Sequence, residues 1–343
     1  MTLTKGQKLR LGRLISLILL AHVSQVGASS LFEDNTVIVV SLTGPLGSLF
    51  EEANDRRELP FILRANGVEH SIKVQVRGKS RRHVCSFPPL RLNFAVDDTA
   101  QSIFSGESKL KLVTHCRDSK AAQLDTLQEY AAYRIFNLIS NFSYKVRLLH
   151  ITYTDTDGRL NEDEFDRYGF LIESESGLAD RIGGQPAHVS AVSLRTLDSQ
   201  QAAAVFVFQY LIGNTDWSLV TADEDDTCCH NGDLFDVESV RYYVPYDFDL
   251  SGLVNARYAR PDPSLRISRV TQREYRGFCI STDALKGALG IINSRRTDIL
   301  DSINQLPDVS PKDIEATTKY LEKFFARASD EDKIMQLFER RCL

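Results

Sequence analysis

The run Ala202–Ile212 (AAAVFVFQYLI) constrains the fold of this chain more than any other stretch. A helix that is apolar on every side has no face to give to water and must be surrounded by protein. The pattern over Leu197–Ile212 therefore predicts a buried central helix, and Gly213 stands where such helices stop. The segment just past that stop, Asn214-Thr215-Asp216-Trp217, then projects from a rigid base.

Upstream the signal is mostly sheet. Residues 36–42 (TVIVVSL) and 72–77 (IKVQVR) are rich in β-branched side chains, and Leu90–Phe94 and Lys109–Val113 alternate apolar with polar. Between Ala121 and Ile139, Leu124, Leu127, Tyr130, Ala131, Ile135 and Leu138 recur at helical spacing, which predicts an amphipathic helix. Strands Val146–Tyr153 and Tyr168–Glu173 come next, joined by the polar segment Thr154–Arg167. Within it Asp155-Thr156-Asp157-Gly158 only partly matches a calcium loop, because the first ligand position falls on Tyr153, so a hairpin is expected. After the central helix come a strand, Arg241–Pro245, and a helix opened by Ser310-Pro311-Lys312-Asp313, with an N-cap, a proline at the first position and an acid in the first turn. This order predicts an α+β, two-lobed, protein-kinase-like fold: a mixed antiparallel sheet lobe over 31–175 and a mainly helical lobe over 176–343.

The first 28 residues stand apart. Lys5, Lys8, Arg10 and Arg13 precede the apolar run Leu14–Ala21, and Val26-Gly27-Ala28 offers small residues for cleavage, which reads as a secretory signal peptide. The run is too short to span a bilayer, and no later segment is apolar enough. Without those four cations the formal net charge moves from −5 to −9, a poor general partner for nucleic acid. Cys85, Cys116, Cys228, Cys229, Cys279 and Cys342 all lie in the exported part, periplasmic or secreted, where disulfides form. Their pairing is not legible, and Cys228-Cys229-His230 lacks the second spaced pair of a metal site.

Three turns carry acids or cations suited to phosphoryl transfer, which needs a proton acceptor, metal ligands and cations for phosphates. Asp216 is the candidate acceptor. Asn231 and Asp247 are the candidate metal ligands, with Asp249 as alternative on the same strand face. Arg77-Gly78-Lys79-Ser80-Arg81-Arg82-His83 puts cations and a glycine directly after a strand, where Arg77 and Lys79 can meet phosphates. Lys111 and Glu129 are a candidate ion pair, with Lys109 competing for the lysine's part. Glu173 ends a strand where the two halves join, and Leu171 and Ile172 could line an adenine slot there.

Taken together, Arg77-Gly-Lys-Ser80, Lys109-Leu-Lys-Leu-Val113, Tyr168-Gly-Phe-Leu-Ile-Glu173, Gly213-Asn-Thr-Asp216 and Pro245-Tyr-Asp-Phe-Asp249 resemble the CotH-type spore-coat atypical kinases, above all their exported Gram-negative relatives. The resemblance runs from about Ile72 to Cys279. It implies ATP and Mg²⁺ or Mn²⁺ as cofactors, Asp216 in the catalytic position, Asp247 in the metal position, and Lys111 with Glu129 orienting the phosphates. The acceptor would be a protein or envelope component. The chain departs from the pattern at Trp217, at Asp-Phe-Asp in place of Asp-Phe-Gly, and in the acidic insert Asp223–Asp226; a nucleotide-binding pseudokinase or scaffold is the second reading.

Overall fold

The computed structural model describes residue 2 and residues 31–51, 57–95, 99–100, 102–219 and 227–343. The expected signal peptide and the acidic insert 223–226 lie outside the described residues. Seven strands, β1 (Ile38–Gly44), β2 (Leu59–Ala65), β3 (Val68–Val76), β4 (Leu90–Asn93), β5 (Lys109–Val113), β6 (Val146–Asp155) and β7 (Glu164–Ile172), close into a barrel in the order β1-β2-β3-β4-β5-β7-β6. All its ladders are antiparallel except the closing one, where β1 runs parallel to β6 from Ile38 opposite Leu149 to Gly44 opposite Asp155.

That closure overturns the expected two-lobed, protein-kinase-like fold. The first half is a sealed mixed barrel rather than an open sheet lobe, and a separate three-stranded sheet sits in the second half. Period-2 alternation identifies strands but says nothing about which pair across the sheet, so a parallel closing pair more than a hundred residues apart in sequence is invisible to it. The strand that joins β1 to β3 is equally hidden. In β2, Leu59, Phe61, Leu63 and Ala65 point inward, but Pro60 on the outward face reads as a strand breaker.

The barrel interior is filled by alternate residues, among them Val40, Leu42, Phe61, Leu63, Val74, Leu92, Leu112, Ile151 and Leu171. The opposite face of β6 and β7, through Val146, Leu148, Phe170 and Ile172, packs into a second core. The helix Lys120–Ile139 belongs to that second core, contributing Leu127, Tyr133 and Phe136. At the centre of the same core lies the helix Ser199–Ile212, capped by Asp198, which accepts from the Gln201 N–H at 2.7 Å. From Gln201 to Ile212 every residue is buried, as the all-round apolar pattern requires. Each of its phenylalanines contributes about 1.5–3 kcal/mol by leaving water. Around it pack the helices Thr282–Ser294, Arg296–Asn304, Pro311–Ala328 and Glu331–Arg341, and the sheet β8 (Gln185–Pro186), β9 (Gly232–Val237), β10 (Val240–Pro245). Ser310 caps its helix as expected, accepting from Asp313 N–H at 3.2 Å.

Disulfides join Cys85 to Cys116, Cys228 to Cys229 and Cys279 to Cys342. The carboxylate of Asp155 accepts from the N–H groups of Gly47, Arg159 and Leu160, and Asp157 from that of Ser48. These acids organise the hairpin turn. Among the described residues no helix is long and apolar enough to cross a membrane.

Candidate active site

Asp216 leaves the central helix through Gly213, whose φ of 65° is left-handed. A Cβ at Gly213 would lie 2.1 Å from Tyr320 Oη, so glycine is required there both for conformation and for space. The segment after Asp216 pairs with 230–231 through Ser218 N–H, which donates to His230 O at 3.2 Å. This brings Asn231 Nδ2 to the Asp216 main-chain oxygen (2.7 Å) and to its Oδ2 (2.8 Å), while His230 Nε2 lies 2.9 Å from Oδ1. Both carboxylate oxygens of Asp216 thus have partners, yet the side chain stays about a third exposed.

The second acidic turn is stitched to the first. Gly252 N–H donates to Gly213 O at 3.0 Å and Leu253 N–H to Ile212 O at 2.9 Å, fixing Asp247–Ser251 beside the helix end. Phe248 is fully buried against Tyr133 and Phe208, which turns the flanking acids outward. Asp247 N–H donates to Tyr133 Oη at 2.9 Å. One turn earlier on the same helix stands Glu129, and its carboxylate forms a cluster with those of Asp247 and Asp249 in which the ligand atoms all lie within 4.8 Å of one another.

Arg81 fills the middle of that cluster. Its guanidinium donates to Glu129 at 2.9 and 3.1 Å, donates to Asp247, and lies 3.4 Å from Asp249. The turn bearing Arg81 is fastened to the start of the Glu129 helix by Cys85–Cys116 and by the bond from Cys85 N–H to Arg81 O. Burial pushes the Glu129 carboxyl up to about 8 against the pull of Arg81, and burial likewise pushes Asp249 up to about 6. At Asp247 burial also opposes ionisation, but Arg81 and Arg77 outweigh it and hold the carboxyl below its usual range. The same fold therefore keeps one carboxylate charged beside two that resist charging.

The predicted residues are only partly brought together. Asp216, Asn231, Asp247 and Asp249 share one site, and Arg77, half-buried, faces Asp247 and Arg81. Lys79 is exposed on the turn after Gly78. Glu129 is paired with Arg81, not with Lys111. The Lys111 ammonium sits 5.4 Å from the Tyr246 ring and 5.9 Å from that of Tyr144, close to Asp233, Glu175 and Asp247, and burial lowers its pKa. Beside it opens a cavity of about 530 Å³ lined by Arg91, Lys109, Lys111, Glu175 and Gln185. Glu173 is buried and spent on structure: it accepts from Lys145 N–H and twice from Arg181 at 2.8 Å. Leu171 points into the barrel core and Ile172 into the second core.

No protein-family model matches the chain, and no curated protein matches it. The chain is similar to a solved structure, that of a Helicobacter pylori proinflammatory kinase CtkA, at 12% identity and a TM-score of 0.39, over 74% of this chain and 93% of that one. A likeness at this level leaves function to the geometry of the site.

Sequence reasoning does not distinguish Arg81 from its basic neighbours, nor does it find Tyr133 or His230 as contacts of the two aspartates. For Arg81 a signal exists: Cys85 close behind it, able to tie that one turn to the helix start.

Proposed function

We propose that the chain is an exported phosphotransferase that uses ATP and a divalent cation and passes phosphate to a protein or envelope component. The observation that carries this reading is the proximity of a partly exposed aspartate, held by His230 and Asn231, to a three-carboxylate cluster threaded by Arg81 and flanked by Arg77 and Lys111. All the donors of the cluster are carboxylate oxygens, which fit Mg²⁺ or Mn²⁺. Asp247 and Asp249, with Glu129 beside them, would hold the ion, which supplies charge neutralisation at phosphate oxygens. Arg77 and Lys111 supply positive charge beside the cluster, while that of Arg81 is shared among Glu129, Asp247 and Asp249. Asp216 takes the proton of the incoming hydroxyl, and Asn231 and His230 hold its carboxylate in one orientation. Asn231, whose amide is committed to Asp216, serves as positioning residue in this reading.

A second reading, nucleotide binding without turnover, is favoured by Arg81 itself, which already bridges the carboxylates that would hold the ion. Thermal-shift titration of the mature chain with ATP and Mn²⁺ or Mg²⁺ tests both readings. Stabilisation that needs the metal and disappears in Asp247→Ala is expected; none in the wild type overturns both. Labelled ATP then separates them: transfer abolished by Asp216→Ala supports the enzyme, and binding with no transfer supports the second reading.

A further inference from the structure

Asp216 lines a groove of about 440 Å³ whose walls include none of Glu129, Asp247 and Asp249. Its walls include His230, Leu250, Arg260, Pro261, Pro263 and Arg276. We infer that this groove binds an acidic peptide segment and presents its serine or threonine hydroxyl to Asp216. This rests on the reading of Asp216 as proton acceptor.

Two guanidinium groups carry the inference. Arg276 Nη1 donates to Thr215 O at 3.0 Å, which fixes that guanidinium one residue from Asp216. Arg260 Nη1 donates to Arg257 O at 3.0 Å and to Ala259 O at 2.7 Å. Each arginine is thus anchored to main chain through one nitrogen and keeps its other N–H groups for a ligand. Among the described residues no carboxylate forms a salt bridge with either. A guanidinium held this way has already lost its side-chain freedom and presents a planar fork that matches a carboxylate.

Two acids share the groove, and Asp262 feels the charge of Arg276 without forming a salt bridge to it. Asp216 is engaged by His230 and Asn231, and one oxygen of Asp262 accepts from Ser264 N–H at 2.8 Å. Leu250, Pro261 and Pro263 add an apolar wall without N–H donors from the prolines, suited to an extended chain lying across it. A hydroxyl at Asp216 with a carboxylate one or two residues away would place the carboxylate at Arg276, and a further acid at Arg260.

The test measures binding apart from catalysis. Fluorescein-labelled Glu-Glu-Ser-Glu-Glu and Lys-Lys-Ser-Lys-Lys are titrated with the full chain at low salt and followed by anisotropy. The acidic peptide is expected to bind at least about tenfold more tightly, and Arg260→Gln with Arg276→Gln to remove that preference, since each charge-assisted contact is worth about a factor of ten. Circular dichroism melting checks that the double variant is folded; the single Arg276→Gln, expected to lose about half of the preference on a logarithmic scale, serves if it is not. Equal binding of the two peptides, or a preference that survives in a folded variant, overturns the inference. ATP stabilisation is read in the same samples. Its absence alongside acidic-peptide binding would strike the phosphotransfer reading while leaving the peptide groove supported.

Discussion

Arg81→Met should be among the most damaging single substitutions in the chain. Methionine keeps much of the volume but removes the cation from the centre of Glu129, Asp247 and Asp249. The side chains of Arg81, Glu129 and Asp249 are only 8%, 3% and 7% exposed, so water cannot replace the lost partner at two of the three acids. Removing one partner of a buried ion pair costs about 3–5 kcal/mol, because the remaining charge is left uncompensated. The upper end is limited here, since burial pushes the Glu129 carboxyl up to about 8 and so favours its neutral form once Arg81 is gone. Urea denaturation at pH 7 reads the loss directly. The mechanism also fixes a pH dependence: protonation relieves the stranded acids, so the gap between variant and wild type narrows as pH falls from 8 towards 4. Adding Glu129→Gln to Arg81→Met should recover part of the stability, because the neutral amide needs no proton uptake to stay buried. A gap below about 1 kcal/mol at pH 7, or a double variant no more stable than the single one, would refute the account of Arg81 as the charge that the three acids are built around.

Asp216→Asn should lower phosphate transfer by about 10²–10⁴-fold while leaving the ATP-dependent thermal shift in place, as measured by labelled-ATP assay and melting. His115 is fully buried against Phe87, with burial pushing its pKa down to about 3, so the native state binds fewer protons than the unfolded chain between pH 3 and 6.5. Its contribution to stability is complete above pH 6.5 and lost as pH falls towards 3; His115→Phe should flatten that acid limb in a series of denaturant midpoints. Replacing Cys279 and Cys342 by alanine opens a bridge spanning a sequence separation of 63 and should cost roughly 4 kcal/mol in the chain-entropy account, seen as a fall in urea midpoint.

The central helix and its stop at Gly213 were legible because local pattern alone decides them: no amphipathic alternative exists for AAAVFVFQYLI. Asp216 and Asp247 stand out because each comes just after a predicted element, the central helix and the strand Arg241–Pro245, whereas Asn231 sits in an acid-rich stretch and is marked only by its place in the order of turns. Barrel closure was not legible, because Ile38 meets Leu149 only in three dimensions. Nor was the partner of Glu129. Lys111 on a strand and Arg81 on a turn are equivalent by charge, and only the Cys85–Cys116 bridge, whose pairing the sequence leaves open, brings the arginine to the helix. Glu173 shows the opposite failure: a carboxylate at the junction of two halves looks functional until Arg181 is found to occupy it.

The stitch between Gly252 and Gly213 divides the cleft by ownership. Asp216, Asn231, Asp247 and Asp249 all ride on the helical part and keep their mutual spacing whatever the barrel does. The cations Arg77 and Arg81 come from the segment after β3, and Lys111 from β5. Because the Cys85–Cys116 bridge and the packing of β6 and β7 into the helical core tie the two parts together, positive and negative charge meet across a seam whose register is fixed covalently on one side and by apolar burial on the other.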